Sequence, residues 1–528
     1  MSERSTGNLP VPRPSVSQQF PRAPWLRLLA LVWLCLVITL TATAYAPEHL
    51  NADMLLNSIM SLQRVTLFYW GQNRLLNVLP FLASVITDPL FNLWFVIFFP
   101  VTVFFLLLQM MVAWAARSLC VDAATGVQGL IILSSAVLLL LRPVAVAEMA
   151  IGHLEYSLSA LLVMLVLWLA WSGAVSGRGR GLLIGALLFL ALGVNPAALL
   201  ALGFAVLGRL LYRRVFSLAD AGLLGFATAL FIFWMMVSRL VASTSYAGLS
   251  WQLLPDGLAA VFPALLQLLD APYLPLLALL LPALLLIRPG QPGEGSAIER
   301  MTVLAAAAFA LSWTLLFCAN RWVALNDFHW RYFIYPLFAV LLVTAFRLVA
   351  MLRQIPVHAG WMAAVLLALS AGLKVYQPLR PVTDFSLMQQ VQRVEPQPWG
   401  LYAGDYWLVW PAVWRDLMLG RPAYGLAYRG DANREAAGAH ISREIDTAGG
   451  FSVLCLNAQA GDCLSWVGTF SGPVICRQAQ AVSSQAMLLQ LGPEPNEMVA
   501  DGRSMDNPGC GRIGDAPRGN AIGRGEGH

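Results

Sequence analysis

The sequence predicts an α-helical polytopic membrane protein with about 11 transmembrane helices and amphipathic helices on its outer face, followed by a small C-terminal α/β periplasmic domain. Three observations predict it. Apolar stretches alternate with short polar loops from Trp25 to Tyr376, most of them close to the roughly 20 residues that a bilayer core demands of a spanning helix. The chain of 528 residues is 58% hydrophobic and only 12% charged, with a mean hydropathy of +0.68, which is more apolar surface than a water-soluble domain can cover. The Arg residues between the stretches fall in a regular pattern, in alternate loops and so on one side, which fixes an orientation.

The spans are expected near 25–46, 90–115, 124–142, 156–175, 181–194, 197–211, 219–242, 271–288, 301–319, 334–352 and 358–376. Residues 1–24 carry Arg4, Arg13 and Arg22 ahead of the first. That first run is too long for a signal-peptide core and reads as a retained span, with 1–24 as a cytoplasmic tail. Arg117, Arg178, Arg180, Arg209, Arg213, Arg214, Arg288, Arg300, Arg347 and Arg353 then all land inside, as the positive-inside bias requires. Asn195-Pro196 divides 181–211 into two short helices dipping to a turn. An odd span count places the tail outside a bacterial inner membrane. The outer side then carries four long loops, 47–89, 142–155, 239–270 and 319–333, an asymmetry that suits an enzyme working at the outer face.

In the first outer loop, Met54–Phe68 puts Leu55, Ile59 and Leu62 on one face, the pattern of an amphipathic helix lying on the membrane. Tyr69-Trp70-Gly71-Gln72-Asn73-Arg74 breaks it, with Tyr69 and Trp70 suited to the interface belt, and Leu75–Ile86 can form a second surface helix. Asp53, at the start of the first helix, has two readings: a carboxylate favoured by the helix macrodipole, or a general base at the water–lipid boundary.

A first span, a long outer loop with an acidic residue near its start, a many-span body and an outer tail together resemble the GT-C glycosyltransferases. That superfamily includes the protein O-mannosyltransferases and lipid A aminoarabinose transferases, which take a sugar from a polyprenyl phosphate or pyrophosphate. Many members carry paired acidic residues in this loop, whereas Asp53 stands alone with Glu48 five residues earlier. The segments His329-Trp330-Arg331-Tyr332-Phe333-Ile334-Tyr335-Pro336 and Gly404-Asp405-Tyr406-Trp407 are similar to stretches of several members. The resemblance implies an inverting transfer from a polyprenyl-phosphate sugar donor to a periplasmic or lipid-linked glycan, lipid or protein acceptor, with Asp53 as the catalytic base. The chemistry is self-consistent: the donor's lipid stays in the bilayer, Arg forks hold the leaving phosphate, and a carboxylate deprotonates the acceptor hydroxyl.

Arg74, Arg321 and Arg331 are the candidate donor-phosphate ligands, each with snorkelling to headgroups or internal pairing (Asp327 with Arg331) as the alternative. Glu48, His153, Glu155, Asp327, His329, Asp405, Tyr406 and Trp407 are the candidate acceptor or sugar contacts. His153 and Glu155, with Glu148, equally read as a polar loop capping the next span. They do not make a metal site, so no cofactor is assigned and a divalent metal has no supporting ligand cluster. Trp399, Tyr402, Tyr406 and Trp407 suit either sugar stacking or packing onto the membrane core. Phe451–Leu456 and Ala486–Leu491 read as strands of a periplasmic domain over 377–500, and Gly- and Arg-rich 501–528 as a disordered tail. Among the seven Cys, Cys455, Cys463 and Cys476 cluster in the 377–500 domain, where a disulfide is expected, with Cys510 beyond them. No Walker motif, dinucleotide fingerprint or serine elbow occurs, and a net charge of +5 over this length does not suggest nucleic acid. The alternative function is a transporter or flippase for a lipid-linked glycan, but neither internal repeats nor mid-span charges support it.

Overall fold

Within lipid a backbone must satisfy its own hydrogen bonds, so the long apolar segments become helices. The computed structural model describes residues 24–493 except 73–74, 173–177, 214–216, 242–247, 276, 279–293, 396, 458–459 and 473. Eight of its helices are long and apolar enough to cross a membrane: Pro24–His49, Pro89–Ser118, Ala123–Leu140, Leu154–Trp171, Leu218–Ser238, Ile298–Cys318, Trp330–Leu352 and Val357–Val375. The chain is a multi-pass membrane protein. The two short helices expected over 181–211 are Gly179–Val194 and Ala198–Leu211, each shorter than a full span. They meet at the expected turn, where Asn195 Oδ1 accepts a bond from Ala197 N at 3.0 Å. Most of the span expected at 271–288, the 1–23 tail, the 501–528 tail and Cys510 lie outside the described residues.

The first outer loop departs from expectation. Its helix runs over Ala52–Gln63 and stops at Arg64, short of Phe68. It does not lie on a membrane surface. Met54, Leu55, Leu56, Ile59 and Met60 are all buried, because the helix is covered both by the span Pro89–Ser118 and by the C-terminal domain. A polar network locks it in place. Asn92, in span Pro89–Ser118, accepts from Ser58 Oγ at 2.7 Å and Ser61 Oγ at 3.0 Å, and Trp414 Nε1 donates to Ser58 Oγ at 3.2 Å. Each member is buried and bonded, so the network fixes one geometry rather than costing stability. Trp70 is also buried, donating to Arg64 O and packing on Trp410, instead of joining an interface belt. The second helix is only Val78–Ala83, and Phe81 and Val85 there remain exposed.

After the last span, a mixed sheet of five strands forms: β1 (Leu401–Gly404), β2 (Tyr424–Leu426), β3 (Phe451–Leu456), β4 (Val474–Ser483) and β5 (Ala486–Pro493), in the order β2-β1-β3-β5-β4. β1 runs parallel to β2 and β3, so each connection needs a crossover. Helices Tyr406–Met418 and Arg434–Ala448 provide them. β5 pairs antiparallel with β3 and β4. The two expected strands are β3 and most of β5. Helix Tyr406–Met418 buries Trp410 and Trp414 against the membrane bundle's core, so the domain sits on the end of the bundle that carries the first loop. Cys455, at the end of β3, is joined to Cys463, within the expected trio, and Cys476 is disulfide-bonded as well.

Candidate functional site

Asp53 is the second residue of its helix. The cap is Asn51, whose Oδ1 accepts from Met54 N at 3.0 Å while its Nδ2 donates to Glu148 Oε1 at 3.1 Å. The cap role is therefore filled by a neighbour, and the Asp53 carboxylate points elsewhere. Its Oδ1 accepts from Arg429 Nη1 at 2.5 Å and from the Tyr406 hydroxyl. Arg429 also donates to Tyr406 Oη at 3.0 Å and lies over the rings of Tyr69, Tyr406 and Tyr428 at 5.0, 5.4 and 5.4 Å. Tyr69 Oη donates to the Asp53 carbonyl at 2.9 Å.

Local chain geometry builds this contact. The loop after the Asp53 helix folds back through a bridge between Phe68 and Leu76, and turns at Gly71 with φ +70°. A Cβ on Gly71 would stand 3.0 Å from Arg429 Cγ, so glycine serves both the left-handed turn and the close approach. Arg429 itself follows β2 with φ +72°, a conformation costing a non-glycine residue about 1–2 kcal/mol. The ion pair and the three aromatic rings hold it there. Burial first, then the Asp53 charge, raise the Tyr69 and Tyr406 hydroxyls well above the usual tyrosine range, so both remain donors.

Asp53, Arg429, His153, Glu155 and Arg331 line the polar end of a cavity of about 770 Å³. Most of its remaining lining is apolar, including Leu199, Leu200 and Phe204 from the helix after the Asn195 turn, Phe231, and Leu316 and Phe317, with Gln72, Asn77 and Asn320 among the neutral polar residues. His153 follows a π-helical turn over Glu148–Gly152 and pairs on both ring nitrogens, Nε2 with Glu148 at 3.0 Å and Nδ1 with Glu155 at 2.9 Å. Burial opposes its charge, but the field and hydrogen bonds of Glu155 and Glu148 prevail, and its pKa is pushed up to about 10. Burial likewise opposes Glu148, whose pKa is nonetheless held below the ordinary value by the His153 hydrogen bond and charge. Arg331 donates to Asn326 Oδ1 at 3.1 Å and Tyr332 Oη at 3.2 Å and still faces the cavity. The alternative of an Asp327–Arg331 helical pair does not form among the described residues, because the helix ends at Leu325 and Asp327 and Phe328 take positive φ.

The structure thus gathers Asp53, Tyr406, His153, Glu155 and Arg331 from four separate stretches of sequence. It leaves other candidates apart. Arg321 and Asp327 are exposed and His329 half-buried, none of them lining the cavity. His329 Nδ1 accepts from Arg331 N at 3.3 Å, and burial followed by Arg331 lowers its pKa to about 4. Glu48 binds Arg380 and Ser386, tying the first span to the segment after the last. Asp405 caps helix Tyr406–Met418 and accepts from Asn457 at 3.1 Å. Trp407 is partly exposed and packs edge-on to Tyr406. Arg74 lies outside the described residues. Sequence reasoning missed Arg429 and assigned Tyr69 to the interface belt; the Tyr428-Arg429-Gly430 turn sequence ahead of a helix was the one available signal. Among the described residues no group of three or more His, Cys, Asp or Glu is placed to hold a metal ion.

No family model matches the chain, and no curated protein matches it. Solved structures do. The chain is similar to the crystal structure of ArnT from Cupriavidus metallidurans bound to undecaprenyl phosphate, with 12% identity, a TM-score of 0.47, and coverage of 89% of this chain and 98% of that one. It is also similar to the cryo-EM structure of the arabinofuranosyltransferase AftD from Mycobacteria, with 12% identity, a TM-score of 0.41, and coverage of 90% of this chain and 42% of that one.

Proposed function

We propose that this protein is a membrane glycosyltransferase that moves a sugar from a polyprenyl-phosphate donor to a glycan, lipid or protein acceptor, with inversion. The observation that carries the reading is a cavity with one apolar and one charged end, in which the Asp53 carboxylate and two arginines meet at the charged end. An amphiphile fits such a cavity: its isoprenoid chain against Leu199, Leu200, Phe204 and Phe317, its phosphate near Arg331 and Arg429. In a single displacement the acceptor oxygen attacks the anomeric carbon, the bond from that carbon to the phosphate oxygen breaks, and Asp53 takes the acceptor's proton. The departing polyprenyl phosphate carries the negative charge, which Arg331 and Arg429 stabilise. Glu155, held by His153, is positioned for acceptor hydroxyls. In this reading 25–376 forms the transferase module, 377–500 a periplasmic domain and 1–24 a cytoplasmic tail, with the short helices around Asn195 counted among about 11 membrane-embedded segments. The test is purified protein in liposomes supplied with polyprenyl-phosphate sugars and candidate acceptors. Release of polyprenyl phosphate supports transfer; movement of intact lipid-linked glycan across the bilayer without release replaces it with the flippase reading.

A further inference from the structure

A second cavity, of about 520 Å³, lies in the C-terminal domain at the N-terminal ends of β1 and β3, lined in part by Trp399, Arg421, His440, Glu444, Arg477 and Gln490. Tyr406 and Arg429 follow the opposite, C-terminal ends of β1 and β2. The two cavities are therefore about one strand apart, roughly 13 Å for the four residues of β1. The transfer chemistry proposed above uses none of these side chains.

Arg477 is placed deliberately. The register of β4 against β5 shifts between Cys476 and Gln478, so Arg477 is the extra residue of a bulge, a device that re-aims a side chain. Its guanidinium lies flat on Gly492, where a Cβ would stand 2.4–2.6 Å from it, and beside Gly450. Neither the Arg477 nor the Arg421 side chain forms a hydrogen bond or ion pair among the described residues, although Glu444 lines the same groove. His440 and Glu444 are one helical turn apart and so share a face, with His440 against Tyr424 at 5.5 Å between ring centroids. Two open guanidinium groups, one carboxylate, a neutral amide and an indole face form a set with net positive charge. Guanidinium forks suit carboxylate or phosphate; the carboxylate and amide suit hydroxyls; an indole face suits the apolar face of a sugar ring.

We propose that this groove is a saccharide-binding site for a sugar that carries a carboxylate or phosphate. It is separate from the transfer site and stands whether or not the first cavity transfers sugar. The test is calorimetric titration of the full-length protein in detergent with trigalacturonate, glucose 6-phosphate, neutral maltotriose and inorganic phosphate. Binding of trigalacturonate, of glucose 6-phosphate or of both is expected, the stronger of the two identifying the anionic group, with maltotriose and inorganic phosphate each weaker by about tenfold or more. Arg477→Gln, exposed enough to leave folding intact as checked by the thermal transition, is expected to lower that affinity by about tenfold. Asp53→Asn is expected to leave it unchanged, which separates this site from the transferase reading. Maltotriose or inorganic phosphate binding as well as the acidic sugars, no binding of either acidic sugar, or unaltered affinity in Arg477→Gln would overturn the proposal.

Discussion

Asp53→Asn separates chemistry from architecture. The helix keeps its cap, because the bond to Met54 N comes from Asn51, and the Asp53 carbonyl keeps its bond from Tyr69. The substitution removes the negative charge that faces Arg429 at 2.5 Å, in a pair whose side chains are 36% and 12% exposed. Such a pair lies between a surface ion pair, worth about 0–1 kcal/mol, and a buried one whose one-sided rupture costs about 3–5 kcal/mol. Water reaches the carboxylate, and Arg429 retains three aromatic rings and the Tyr406 oxygen, so the expected stability loss is about 1 kcal/mol. Loss of a general base slows transfer by about 10²–10⁴-fold, or about 3–5 kcal/mol of barrier. Single-turnover release of polyprenyl phosphate measures the second quantity and thermal unfolding in detergent the first. Arg429→Gln and the double variant complete a cycle: if the two residues work as one unit, the double variant is little slower than Asp53→Asn alone. Asp53→Asn turning over within about threefold of the parent would refute the assignment of Asp53 as base.

Arg331→Lys is expected to reduce transfer by about tenfold or more, because an ammonium cannot keep Asn326 and Tyr332 while also offering a fork to phosphate; unchanged initial rates would make Arg331 purely structural. The His153 pKa is raised above its unfolded value, so its pairing stabilises the fold fully below about pH 6.5 and is lost as pH rises toward about 10. Unfolding midpoints of the parent should therefore fall across that window, while those of His153→Gln stay flatter; parallel curves would contradict the pairing. Cys455→Ser with Cys463→Ser opens a bridge of sequence separation 8 and should cost about 2–3 kcal/mol in the C-terminal domain, with unreduced peptide mass spectrometry of the parent showing the linked pair. A phosphatase reporter fused after residue 400 should be active if the domain is periplasmic, and an active cytosolic fluorescent reporter there would reverse the orientation.

How much of this was legible depended on the range of the interaction. Hydropathy is a property of each segment alone, so eight of the expected spans and the Asn195-Pro196 break could be read directly from composition and from proline's missing donor. Amphipathicity is also local, but it reports only that one face is apolar, not what covers it. The helix Ala52–Gln63 was therefore placed on lipid when its cover is the domain carrying Trp410 and Trp414. A continuous apolar set including Met54, Leu56 and Met60 beside Leu55 and Ile59 was the local sign that more than one face is buried.

The site was legible on its membrane side and hidden on the other. Asp53, His153, Glu155 and Arg331 each stand near a predicted span end, where a charge beside a bilayer must line a cavity or find a partner. Arg429 lies in a polar stretch where an arginine is unremarkable by composition. Three facts define it, and each needs the fold: a left-handed backbone, a glycine 358 positions earlier that leaves room for its side chain, and rings from Tyr69, Tyr406 and Tyr428 that surround its charge. In the proposed transfer, a residue held at that conformational cost, opposite the carboxylate assigned as the base, works at the site rather than only adding stability. An exposed arginine at the same position, relaxed to negative φ, would be the cheaper solution if the pair only joined domain to bundle. Gly71→Ala tests this directly: a Cβ there displaces Arg429 while leaving both charges in the chain, so transfer should fall with Asp53 and Arg429 still present.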